Sequence, residues 1–367
     1  MLRGPIACLA LSALAAVRLP AAQDTFDADR RAALAHVAWV EQAYAERLGP
    51  HGQEWRARID REEPALEKTL DWFARTSAGD QALRLAVPLA YFWNYEGRAS
   101  EARELLTRIL TLPSAAAPTA IRAKALYDAG TIAFGERDHS AARALEEESL
   151  RIYRRLQDDA GVATALLGLS RVALREMDYA SARRYAEESG VLRRDFGDRV
   201  GQAGAIHTLA AVARIQGQYD KAAELYQFSL DANREAGWEL PVATELFNLG
   251  YVRLRQGNLD AARKLFTESL QKYRDLLDEA GIAYVLTGFA SLAVEQKQAS
   301  RAARLYASGL VILDHFNVVF DPDDQLDIDH YTARLLTLLS PAAFKAASVE
   351  GEKLSPDRAI ALALETP

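Results

Sequence analysis

The chain has one cysteine, Cys8, in 367 residues, so no disulfide can form within it. Its six histidines, His36, His51, His139, His207, His315 and His330, are scattered, without a His-Glu-x-x-His or other close pair. That spacing removes the usual zinc arrangements. No Gly-x-x-x-x-Gly-Lys-Ser/Thr stretch occurs, so no loop of backbone N–H groups with a lysine waits for a triphosphate. A Gly-x-Ser-x-Gly elbow is also missing, and the carboxylates are too many and too surface-like to nominate an acid and base pair. Basic residues are outnumbered, 44 against 51, for a net charge of −7. Nucleic-acid binders need a concentrated positive face, which this balance opposes. Beyond the first 22 residues no apolar run approaches membrane-spanning length. The expectation is a chain with no catalysis, no cofactor, no metal, no nucleic acid and no membrane span.

What the chain does have is a period of forty. Alanine stands at 102, 142, 182, 222, 262 and 302. Three positions later come Leu145, Tyr185, Leu225, Leu265 and Leu305, and seven later Ser149, Ser189, Ser229 and Ser269, with Gly309 in the fifth full copy. Twelve before the alanine every copy has a small residue: Gly130, Ser170, Ala210, Gly250 and Ala290. Ten before it every copy is aliphatic, through Ile132, Val172, Val212, Val252 and Leu292. Self-similarity at this period means stacked supersecondary units, each unable to bury its apolar face alone.

Each unit reads as two helices. Leu246, Leu249, Gly250 and Val252 follow helical spacing, Gly257-Asn258 breaks it, and Ala262, Leu265, Phe266 and Leu270 resume it. Asp138, Asp178 and Asn258 are placed to cap the second helix, and Asp158, Asp198 and Asp278 the first helix of the next unit. The alanine column is structural: two helices crossing closely need a site without bulk, and enlarging it costs about 1–3 kcal/mol.

Leu249-Gly250, Gly257-Asn258-Leu259, Ala262, Phe266 and Ser269-Leu270 resemble the tetratricopeptide pattern. The forty-residue length exceeds the usual 34, and in this the chain is similar to the C-terminal sensor arrays of MalT-like and LuxR-type regulators. The aromatic site holds Glu146 and Ala186 in two copies, a departure from the pattern. Trp55 to Trp72 resembles the lead-in of those arrays, and Ala342 to Glu365 their closing helices. The ATPase and DNA-binding modules of such regulators cannot be fitted here. The resemblance implies an all-α, right-handed superhelical solenoid: an N-terminal helical cap over 28–76, repeats over 82–315, and a C-terminal cap over 325–366.

Residues 1–22 have the layout of a secretory signal peptide: Arg3, an apolar run from Pro5 to Val17, then Leu19-Pro20-Ala21-Ala22. This points to a periplasmic or secreted protein. A misassigned start would instead leave a cytoplasmic one, acting as a regulatory sensor arm beside a separate ATPase or DNA-binding module.

In stacked arrays the first helix of each unit lines the inner surface, and in the resembling family that groove takes extended peptides or partner segments. By phase the groove side chains are Asp128, Thr131, Arg171, Arg175, His207, Arg214, Asn248, Tyr251 and Arg255. Four arginines in an acidic protein suit carboxylates or a peptide C-terminus, held by paired hydrogen bonds. Each arginine alone is equally at home on a solvated helix face. The expected partner is a protein or peptide, with acidic groups or a free carboxylate. On this reading Arg171→Glu with Arg214→Glu abolishes capture and leaves the helical signal and thermal midpoint nearly unchanged. Asp321, Asp323, Asp324, Asp327 and Asp329 lie together in one acidic stretch without the glycine and distal glutamate of a calcium loop. Acids opening a helix account for them.

Overall fold

The computed structural model describes residues 7–365, with side chains from residue 23 onward. The expected signal peptide therefore has its first six residues and all its side chains outside the described residues, as does the last position of the C-terminal cap. Every regular element among the described residues is helical, and the chain is an all-α helical repeat solenoid. It divides between Gly161 and Val162 into two compact units.

The first unit holds α1 (Ala7–Ala45), α2 (Gly52–Arg75), α3 (Gly79–Tyr95), α4 (Ala99–Leu110), a 3-10 turn at Pro113–Ala115, α5 (Ala120–Gly135) and α6 (His139–Leu156). Helices α1, α2 and α3 pack on one another through Val37, Val40, Ile59, Leu66, Leu70 and Phe73, all buried. Trp39 stacks on Trp55, and Phe26 leans on Trp72.

The second unit takes up α7 (Asp159–Arg175) and continues through α8 (Tyr179–Asp195), α9 (Arg199–Ile215), α10 (Tyr219–Ala236), α11 (Glu239–Arg255), α12 (Leu259–Asp275), α13 (Glu279–Glu295) and α14 (Ala299–His315). It closes with α15 (Pro322–Leu338), α16 (Pro341–Glu352) and α17 (Pro356–Leu364), which pack back on α13 and α14.

The turns halve the period. From Ser77 to Asn317, residues with positive φ recur every twenty positions, skipping only 117 in the loop after α4. Each ends a helix in the left-handed conformation, and the next residue's N–H reaches back to a carbonyl five positions earlier, as in Asp138 to Ala133 and Asn258 to Arg253. That same residue opens the following helix: Asp138, Asp178 and Asn258 accept from Ala141, Ser181 and Ala261. Asp158, Asp198 and Asp278 likewise accept from Gly161, Gly201 and Gly281. One residue stops a helix and its neighbour starts another, with each cap worth about 1 kcal/mol.

The small columns have steric causes visible inside each hairpin. Ala142, Ala182, Ala222, Ala262 and Ala302 are wholly buried. A Cβ on Gly250 would fall 2.5 Å from the Phe266 ring, so the ring itself demands glycine there. The serine column does more than stay small. Ser149, Ser189 and Ser269 each donate to a carbonyl 26 residues earlier, Ala123, Ala163 and Ala243, at 2.8 Å, and Ser229 lies 3.3 Å from the Ala203 carbonyl. These bonds tie the second helix of a hairpin to the first. Gly309 brings its backbone to the equivalent place, where a Cβ would meet the Ala283 carbonyl at 2.9 Å.

Candidate functional site

In the second unit the first helices of successive hairpins, α7, α9 and α11, each carry an arginine in their last turn: Arg175, Arg214 and Arg255. Arg175 and Arg255 share one phase of the repeat and Arg214 stands one position ahead of it, where the other copies have Leu174 and Leu254, yet the structure brings all three to a single object. That object is α15, the acidic helix of the same unit.

Helix α15 starts where its residues require. Pro322 occupies the first turn, where its missing N–H is no loss, and Asp323 and Asp324 lie at the positive end of the helix. Asp321 has the N-cap position but makes no cap hydrogen bond. Its carboxylate pairs with Arg175 instead, and Arg175 Nη1 also donates to the carbonyls of Val319 and Phe320 at 3.3 and 3.4 Å. Acids opening a helix are thus an incomplete account of this stretch. The aspartates are counter-ions for the arginine face.

Arg214 is the centre, 1% exposed. Its Nε donates to Asp327 at 2.8 Å, and its Nη1 to Asp323 at 2.9 Å, Asp324 at 3.0 Å and Asn248 Oδ1 at 3.0 Å. The guanidinium lies 4.9 Å from the Tyr251 ring centroid. Tyr226 adds a hydroxyl to Asp323 at 3.2 Å. Arg255 takes the other oxygen of Asp327 and faces the Tyr331 ring. Beside this network His207 Nδ1 meets Glu245 at 2.9 Å, and Ser229 donates to the same carboxylate oxygen.

Three carboxylates around one guanidinium cannot all be charged at low cost. Burial, reinforced by the charge on Asp323 and only partly opposed by Arg214, pushes Asp324 up to about 8. Asp321 is also raised, by burial first and against the pull of Arg175. Burial works to lower His207, but Glu245, with Asp323 and Asp321 behind it, overcomes that and raises it to about 9. The arginine stays charged, because Asp327, Asp323 and Asp324 outweigh its burial.

The nine residues nominated from sequence are therefore distributed as follows. Arg175, Arg214, Asn248 and Arg255 meet at the α15 contact, with Tyr251 beneath Arg214. His207 flanks it, and Arg171 is exposed nearby, close enough to Asp321 to lower its pKa. Asp128 and Thr131 belong to the first unit, where Lys124 on the preceding turn holds the Asp128 carboxylate at 2.8 Å. Arg214, Asn248 and Tyr251 were expected on an open groove and are instead buried: Arg214, with Asn248 bonded to it, lies against the aspartates of α15, while Tyr251 packs on Phe266 and directs its hydroxyl at Thr287 and Ser291 of α13. For the same reason Arg214→Glu cannot leave stability unchanged, since it would set a fourth carboxylate among three. Sequence reading missed Asp321, Asp323, Asp324 and Asp327 as partners of this face. The available signal was charge matching, arginines in successive repeats against one aspartate-rich segment. Among the described residues no His, Cys, Asp and Glu group is arranged to hold a metal ion. No described helix is long and apolar enough to cross a membrane.

No protein-family model and no curated protein sequence matches the chain. Among solved structures it is similar to a Rap protein complexed with competence and sporulation factor, at 11% identity over 87% of each chain with a TM-score of 0.58. It is also similar to the apo form of RapI, at 12% identity over 88% of this chain and 97% of that one, TM-score 0.51. BtubC (BKLC) from P. vanneervenii matches 60% of this chain and 92% of its own at 14% identity, TM-score 0.50. At such identities the likeness establishes fold alone, that of an all-α helical repeat solenoid.

Proposed function

We propose that this protein is a non-catalytic scaffold that binds a protein or peptide on the arginine-bearing face of its second unit. One observation carries the reading: Arg175, Arg214 and Arg255, on three successive first helices, converge on the carboxylates of a single helix. A face that holds an acidic helix from its own chain has the geometry to hold acidic groups from another. The similar Rap protein was solved with competence and sporulation factor bound, which is consistent with a binding role for such a stack.

The test is crosslinking of the full chain in its native cells, followed by mass spectrometry of what it captures. A reproducible partner that is lost on Arg175→Gln with Arg255→Gln, at unchanged helical content, supports the reading. Capture that survives this pair moves binding to another face. The layout of residues 1–22 supports export, and the alternative is a cytoplasmic sensor arm beside a separate regulatory module. The N-terminus of the mature chain after cell fractionation separates the two.

A further inference from the structure

We propose that α15 is a tethered occupant of the arginine face, and that the partner is an acidic helix which binds by taking its place. The inference rests on the reading of this face as a binding face and adds the partner's chemistry and the event that admits it.

The two halves of α15 are held differently. Its N-terminal half is buried through carboxylates, Asp323, Asp324 and Asp327, all against Arg214. Its C-terminal half is buried through Tyr331 and Leu335, which join the apolar core together with Ile328, the residue directly after Asp327. Ion pairs taken out of water gain little net stability, because desolvating the charges offsets most of their attraction. Apolar burial has no such offset. The N-terminal half is thus bound specifically but weakly, and the C-terminal half anchors it close by.

A tethered segment competes at an effective concentration of about millimolar. A free partner must outdo that, so the intact chain binds it poorly until the carboxylate half lets go. The contacts also define the competitor. It is a helix with carboxylates at the spacing of Asp321, Asp324 and Asp327, three residues apart on one helix face, so that one acid meets each end of the ladder and one its centre.

The experiment uses the full chain and a fluorescein-labelled synthetic peptide with the sequence of residues 319–338. A second peptide has asparagine at each aspartate. With Asp323→Asn and Asp327→Asn together in the protein, the acidic peptide binds at least ten-fold tighter than to the unaltered chain, and the asparagine peptide binds to neither. Adding Arg255→Gln to the loosened protein lowers affinity for the acidic peptide about ten-fold. Equal affinity for loosened and unaltered chains, or equal binding of the two peptides, overturns the proposal. Should the loosened chain fail to fold, amide exchange on the unaltered chain decides. Millimolar acidic peptide speeds exchange in the first half of α15 while the asparagine peptide does not, and unchanged exchange with both overturns it. Partner capture from cells is scored separately. A chain that captures its partner equally well with and without the loosening keeps the scaffold reading and loses this one. A chain that exchanges the peptide yet captures no protein keeps the exchange and loses the scaffold.

Discussion

Arg214 and Asp327 stand 113 positions apart in sequence, yet the Arg214 guanidinium reaches the Asp327 carboxylate at 2.6 Å with both side chains almost wholly buried. This pair joins the repeat stack of the second unit to the helix that follows it. Removing one side of such a contact is more damaging than removing both, because the survivor is left charged without water or partner.

Arg214→Met is therefore expected to destabilise the protein by about 3–5 kcal/mol, the range for an orphaned buried charge. Combining it with Asp323→Asn, Asp324→Asn and Asp327→Asn recovers most of that loss. Urea unfolding of the single and quadruple variants is the measurement. If the two lose equal stability, the network is not what makes Arg214 necessary.

The same cluster sets a pH dependence. Asp324 in the folded chain holds its proton up to about 8, far above an ordinary carboxylate, so the folded state binds a proton that the unfolded state has already released. His207, raised to about 9, acts in the same direction. For both groups the folded pKa lies above the unfolded one, so their stabilisation is complete at low pH and fades as pH rises through the folded values. The urea midpoint is expected to fall between pH 6 and pH 9.5, and Asp324→Asn to flatten that fall. A midpoint that climbs across this interval contradicts the assignment.

The contrast between the repeats and α15 shows what could be read in advance. The alanine column, the aspartate caps and the helix breaks follow from local rules that each forty-residue copy repeats, so every copy is an independent witness. Arg175 and Arg255 were legible as members of one face for the same reason, whereas Arg214 stands one position off their phase. Asp321 to Asp327 occur once, outside the period, and no local rule ties them to residues more than a hundred positions away. Only the return of α15 onto α9 makes the connection, and that return depends on tertiary packing of Ile328, Tyr331 and Leu335. The serine column was visible as a pattern, but its hydrogen bond across the hairpin was not, because smallness alone would have explained it.

That bond can be tested without touching the arginine face. Ser269→Ala keeps the small size and removes the donor to the Ala243 carbonyl. A buried neutral hydrogen bond contributes about 0.5–1.5 kcal/mol, so the unfolding free energy from urea titration should drop by that much. Ala222→Trp instead overfills a site with no free space, at a cost of about 1–3 kcal/mol or more. A neutral Ser269→Ala would mean that the column is selected for volume only.

The turns offer a stabilising change. Leu277 ends α12 at φ 56° with its side chain 87% exposed. A left-handed conformation costs a non-glycine residue about 1–2 kcal/mol, and the side chain returns little by packing when it stands in water. At the corresponding turns Gly197 and Gly237 adopt the same conformation. Leu277→Gly relieves that strain, while the extra freedom of glycine in the unfolded chain takes back roughly 0.5–1 kcal/mol. The net expectation is a gain of up to about 1.5 kcal/mol, read as a small rise in the thermal midpoint. Leu277→Val makes the opposite prediction, because a β-branched side chain crowds the left-handed backbone further. If glycine lowers the midpoint while valine leaves it unchanged, then Leu277 is held by contacts that outweigh its backbone strain.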